Sequence, residues 1–167
     1  MEFKTATMAD FDVAFDYIEK LWDYNTYDKD VIRKVYADVL ADENSFAFFL
    51  MDGDTYHGFC HGAYFNTFWL SGMTCYVSSI ITNEDERGKG CGIKLMDHAK
   101  ELAKAIRAFL NTLPAREQDI FLRRYFFVEE SGVIAQRYGM KPATVLRTLS
   151  RTRQKLTNYL IQEGYTV

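Results

Sequence analysis

The apolar positions change period twice along the chain. Residues 2 to 7 read as a short strand, and from Asp10 to about Tyr24 the residues Phe11, Ala14, Phe15, Ile18, Leu21 and Trp22 recur at the spacing of one helix face, with Asp10 placed to cap it. A second helix is expected from Lys29 to Leu40, where Val31, Val35 and Val39 fall four residues apart. The period then shortens. Ser45 to Met51, Tyr56 to Phe65 and Thr74 to Thr82 are rich in aromatic and β-branched residues, with Asp52-Gly53-Asp54 as the first turn, so an antiparallel β-meander is predicted.

From Ile93 the helical period returns. Ile93, Met96, Ala99, Leu102, Ala103, Ile106, Phe109 and Leu110 form one apolar stripe with no internal Gly or Pro before Pro114. A single helix from Gly92 to Leu113 would be roughly 30 Å long at ~1.5 Å per residue. Three further helices are expected over Arg116 to Phe127, Ser131 to Tyr138 and Pro142 to Ile161. Both prolines, Pro114 and Pro142, stand near predicted helix starts, where a fixed φ helps and a missing N–H costs least.

Composition sets the class. With 48% apolar and 16% aromatic residues, the chain can bury a core and lacks the polar, highly charged signature of disorder. The apolar runs, such as Phe46 to Met51, are too short to span a membrane, and the acidic N-terminus lacks a signal peptide's basic flank. A soluble cytoplasmic protein with no membrane partner is expected. Cys60, Cys75 and Cys91 have no CxxC spacing, so reduced thiols are expected rather than a disulfide framework or a metal site. Charge divides the chain: residues 1 to 104 carry 10 basic and 18 acidic side chains, and residues 105 to 167 carry 10 and 5. Two modules meeting near Lys104, with different partners, are predicted from that contrast.

The run Arg87, Gly88, Lys89, Gly90, Cys91, Gly92 joins a predicted strand to a predicted helix. Glycines let the backbone turn tightly and present N–H groups to an anion, and the helix N-terminus adds partial positive charge. On spacing alone the run is either such a cradle or a simple turn, and it has neither the GK[ST] nor the GxGxxG pattern. Residues 1 to 104 resemble the GNAT family of acetyl-CoA-dependent N-acetyltransferases, with Arg87, Gly90 and Gly92 matching its [RQ]xxGx[GA] motif. The resemblance implies that the motif amides hold the pyrophosphate of acetyl-CoA and that Ser79, Ile80 and Ile81 line its pantetheine arm. The family's strand and helix after the motif helix have no counterpart beyond Lys104. A truncated domain is therefore expected, with Thr74 to Thr82 left as an open sheet edge through which copies of the chain would associate. His57, His61 and Tyr76 have suitable proton-transfer chemistry, but none is assigned a catalytic role.

From Ser131 to Gln162 there are six basic residues and no acidic one, which suits a phosphate backbone and equally a solvated face. The spacing of Ala135, Gly139 and Val145 favours the former. It gives the small contact, tight turn and core aliphatic of a helix-turn-helix, with Val145, Leu149, Leu156 and Leu160 inward and Thr144, Arg147, Thr148 and Arg151 outward. Residues 106 to 165 resemble region 4 of the sigma-70 family: LPAREQDIFLRRYFF at Leu113 to Phe127 and IAQRYGMKPATVLRTLSRTRQKL at Ile134 to Leu156 carry the match. That resemblance implies recognition of a promoter −35 element in double-stranded DNA and docking on the RNA polymerase β-flap. Lys141 replaces the common Ser cap, and Leu146 stands where a basic residue is frequent, which implies weaker DNA affinity than the family norm.

The sequence thus predicts an α+β chain, a partial GNAT-like mixed sheet followed by an all-α helix-turn-helix bundle. Its expected function is DNA binding, with Thr144, Arg147, Thr148 and Arg151 reading the groove and Arg137, Lys141, Arg153 and Lys155 holding phosphates. Two alternatives stand beside it: an acetyl-CoA-dependent N-acetyltransferase with a helical extension, and an inactive hybrid of the two parents.

Overall fold

The structure is a computed structural model that describes residues 1–67 and 72–165. Its elements in chain order are β1 (Glu2–Thr5), α1 (Phe11–Leu21), α2 (Lys29–Ala41), β2 (Ser45–Asp52), β3 (Thr55–Thr67), β4 (Gly72–Thr82), α3 (Cys91–Thr112), α4 (Ala115–Tyr125), α5 (Ser131–Tyr138) and α6 (Pro142–Gln162). The fold is α+β, as the sequence predicts. Two compact units are present: Met1–Tyr64 with Cys75–Lys100, and Phe65–Thr74 with Glu101–Val167. The division falls within α3.

In the first unit the strands form one antiparallel sheet in the order β1-β2-β3-β4, which leaves β1 and β4 at its edges among the described residues. Strand β2 reads as a continuous apolar run because both its faces are covered. Ala47, Phe49 and Met51 pack with Phe11, Ala14, Phe15 and Tyr17 of α1 and Tyr36 of α2. Phe48 and Leu50 pack on the opposite face with Cys60, Cys91, Leu95 and Ala99. Glycine is obligatory twice in β3 for want of space: a Cβ on Gly62 would lie 2.3 Å from Tyr76 O, and one on Gly58 would lie 2.7 Å from Ile81 O.

Polar groups close this unit where strand gives way to helix. Asp10 is buried, and its carboxylate accepts from Lys4 Nζ, from Tyr56 OH at 2.6 Å, and from Thr7 N–H and Oγ1 at 3.0 and 2.7 Å. Although Asp10 precedes α1, its side chain does not cap that helix but turns back to Thr7. Burial opposes ionisation, yet the hydrogen bonds from Lys4, Tyr56 and Thr7 outweigh it and hold the carboxyl at about 2. Asn83 ties the end of β4 down, accepting from Tyr17 OH at 2.8 Å and donating to Tyr56 O at 2.7 Å.

Two expected helix faces are rotated. In α2, Val31 and Val35 are exposed, and the inward side is Tyr36 with the half-buried Ile32 and Leu40. In α3 the change is confined to the first turns, where Cys91 and Leu95 are buried and Ile93 is 68% exposed, while Ala99, Phe109 and Leu110 of the expected stripe are buried.

In the second unit α4, α5 and α6 pack pairwise. Its buried residues include Phe109, Leu110, Ile120, Phe121, Ile134, Ala135, Val145, Leu149 and Leu160. Gly139 ends α5 in the left-handed region, with φ 59° and ψ 37°. Its N–H donates to Gln136 O at 3.2 Å and that of Met140 donates to Ala135 O at 2.9 Å, which together satisfy two terminal carbonyls in a Schellman motif. Pro142 then opens α6 at its first turn.

Candidate functional site

The glycine run forms a turn into α3. Gly88 and Gly90 adopt φ 79° and 84°, values that exclude most other residues, and nothing lies within 4 Å of where a Cβ would stand on Gly88, Gly90 or Gly92. Among the described residues the amides of Gly90, Cys91, Gly92 and Ile93 donate to no backbone carbonyl; the first helical bond runs from Lys94 N–H to Gly90 O at 3.1 Å. Those four donors converge at the positive end of a 22-residue helix. Arg87 lies 3.7 Å from Glu84 and Lys89 lies 3.5 Å from Glu86, so both cations have carboxylate neighbours. Cys91 is buried, and its Sγ donates to Glu86 Oε2 at 3.6 Å. It faces the core rather than a ligand, and burial followed by the bond to Glu86 raises its thiol.

Next to that turn lies a groove of about 380 Å³ lined by Ile80, Ile81, Thr82, Gly92, Ile93, Met96, Asp97 and Lys100. The structure therefore brings Ile80 and Ile81 together with Gly92, but it sends Ser79 elsewhere. Ser79 lines a separate cavity of about 390 Å³ under α1 and α2, with Trp22, Tyr27, Phe59 and His61. Ser78 also points to that side, its Oγ 2.7 Å from His61 Nδ1. Two consecutive β4 residues thus face the same way, and the alternation of the strand breaks between them as at a β-bulge. Of the proton-transfer candidates, His57 lies 3.3 Å from Glu86, His61 is engaged by Ser78, and Tyr76 is 54% exposed. None of the three lines the groove.

The second candidate site is α6. At about 100° per residue, the buried Val145, Thr148, Leu149 and Thr152 define its inward stripe, and Ala143, Arg147, Ser150 and Gln154 lie opposite. Thr144 and Arg151 flank that outward face on one side and Leu146 on the other, all three exposed. Thr148 does not face outward as the sequence suggests. It is 8% exposed because, three residues after the inward Val145 and four before the buried Thr152, it falls on the core side of the helix. Ala143, Ser150 and Gln154 on this face are not named by the sequence analysis, although a helical wheel anchored on Val145 places them there.

The basic residues around α6 differ in their neighbours. Arg137 lies 3.4 Å from Glu129 and Lys155 lies 2.9 Å from Glu117. Arg123 bridges Asp119 and Glu129 at 2.7 and 2.9 Å, and Tyr138 OH donates to Asp119, so α4 and α5 are clamped together. Lys141 occupies the N-cap of α6 without a side-chain capping bond.

Residues 103–156 match the family model for sigma-70, region 4. Among solved structures, the chain is similar to a GNAT family acetyltransferase from Staphylococcus aureus, at 15% identity and a TM-score of 0.53, covering 63% of this chain and 78% of that one. A putative acetyltransferase from Agrobacterium tumefaciens matches at 18% identity and a TM-score of 0.55, with 62% and 73% covered. A predicted acetyltransferase from Clostridium acetobutylicum, solved with acetyl-CoA, matches at 16% identity and a TM-score of 0.52, with 62% and 73% covered. No curated protein matches the chain. Among the described residues no helix is long and apolar enough to cross a membrane. The chain joins a first part with the GNAT acetyltransferase fold to a helical part that matches sigma-70 region 4.

Proposed function

We propose that this chain is a DNA-binding, transcription-associated protein in which α5 and α6 act as a helix-turn-helix and α6 enters the major groove. The observation that carries this reading is the outward face of α6, where Arg147 and Arg151 stand exposed behind a tight Gly139 turn within the segment matching sigma-70 region 4. Arg147 and Arg151, with Thr144 beside them, have the chemistry to meet guanine edges and phosphates. Lys141 and Arg153 would also hold phosphates. Arg137 and Lys155 would exchange their carboxylate neighbours, Glu129 and Glu117, for phosphate oxygens. A −35-like duplex and the polymerase β-flap are the partners this reading favours. The test is fluorescence anisotropy of the full chain on a −35-like duplex: Arg151→Ala should weaken binding about tenfold or more, and equal affinity of variant and parent would refute the assignment.

A second reading is favoured by the groove beside the glycine turn. The four unpaired amides from Gly90 to Ile93 suit a pyrophosphate, and Ile80, Ile81 and Met96 suit an apolar arm, so the donor set fits acetyl-CoA. Bound there, the coenzyme would supply an activated acetyl group. Arg87, Gly88, Lys89 and Gly92 would surround the phosphates, whereas Cys91 and Ser79 point away from that groove. Titration calorimetry with acetyl-CoA distinguishes a coenzyme site from a simple turn: heat that Arg87→Glu abolishes supports the site, and no heat from folded protein removes it.

A further inference from the structure

An apolar side chain on the reading face of a DNA-binding helix has one base-edge partner, the C5 methyl of thymine. On α6 the inward stripe is already complete with Val145, Thr148, Leu149, Thr152 and Leu160, all buried. Leu146 is not part of it and is 55% exposed. An exposed leucine is ordinary on a protein surface, but this one lies in the second turn of the helix, one residue before Arg147 and three after Ala143. Residues three and four apart share a helix face, so Ala143 and Leu146 make a strip of methyl groups, and Ala143 also neighbours Arg147. Ala143 is short enough to let the strip approach a groove floor. The exposed positions of these two turns thus present two kinds of reader side by side, a guanidinium and an aliphatic surface.

We infer that Leu146 is a specificity-determining residue that selects thymine by its methyl group, at a base pair next to the one that Arg147 reads. This rests on the DNA-binding reading of α6. The selectivity needs no charge, so it is independent of the phosphate contacts that set overall affinity. Such a contact also accounts for an aliphatic residue being placed where a lysine or arginine would have strengthened non-specific attraction.

Uracil has the hydrogen-bonding edge of thymine without the methyl, which isolates the proposed contact. A binding site is selected from a randomised duplex pool with the full chain, and each thymine of that site is then replaced singly by deoxyuridine. Anisotropy titrations follow with the parent, Leu146→Ala and Arg147→Ala. One replacement should weaken the parent about fourfold, the equivalent of losing one buried methyl-sized group. Leu146→Ala should bind the thymine and uracil duplexes equally, and Arg147→Ala should bind both more weakly while keeping the parent's ratio. Circular dichroism checks that the exposed substitutions leave the helices intact. Salt-sensitive binding with no discrimination at any thymine, or a ratio unchanged in Leu146→Ala, overturns the inference and leaves the DNA-binding reading standing. Failure of the folded chain to select any duplex overturns both.

Discussion

Single residues decide the most local questions. The buried Asp10 carboxylate, held at about 2 by donors from Lys4, Tyr56 and Thr7 against the cost of burial, stabilises the first unit whenever it is ionised. Its contribution is complete above pH 3.8, the ordinary value, and is lost as pH falls through about 2. Lys4, raised by its bond to Asp10, contributes fully below 10.5 and loses that contribution as pH rises beyond its folded value. Thermal melts should therefore show that Asp10→Asn removes about 2 kcal/mol near neutral pH and flattens the acid limb; an unchanged acid limb would contradict this. Asp10 also marks a limit of legibility. The sequence identifies it as a helix-cap residue, but the partners that draw it back, Lys4 and Tyr56, are close only in the folded chain. Thr148 is a different case: with Val145 and Leu149 read as inward, the helical wheel already places it on the core side, where it is buried.

At the scale of elements, the helices of the second unit were the most legible. The end of α5 at Tyr138 and the start of α6 at Pro142 are as the sequence predicts, because Gly139 stops a helix and Pro142 starts one for local backbone reasons. Helix faces were less legible where several apolar stripes compete. In α3 the expected stripe is buried at Ala99, Phe109 and Leu110, but in its first turns Cys91 and Leu95 meet the sheet in place of Ile93. The β4 irregularity at Ser78 and Ser79 carries no sequence signal, since both residues are small and polar, and it removed Ser79 from the expected ligand groove. One element invites improvement. Lys141 caps α6 without a side-chain bond, so Lys141→Ser should raise the stability of the helical unit by about 1 kcal/mol. Differential scanning calorimetry should find a higher melting temperature, with weaker DNA binding as the accompanying loss of a phosphate contact. A lower melting temperature would mean that Lys141 already serves α6 in another way.

At the scale of the whole molecule, the division of charge in the sequence separates two chemistries. The first 104 residues are acidic, and the remainder has 10 basic side chains against 5 acidic ones. The fold likeness of the first part and the family match of the second were both readable from short motifs, Arg87 to Gly92 and Ile134 to Leu156, because glycine turns and helix caps are local events. What each motif faces was not readable, since it depends on residues far apart in the chain, as the convergence of Ile80 with Gly92 and Met96 illustrates. The direct test of DNA binding is the salt dependence of affinity. If α6 and its neighbouring basic residues neutralise phosphates, the logarithm of the binding constant on a −35-like duplex should fall linearly with the logarithm of salt concentration, with a slope of about −0.9 per phosphate contacted. Arg147→Ala with Arg151→Ala should make that slope shallower. Affinity that is absent, or that does not change with salt, would contradict a DNA-binding role for this chain.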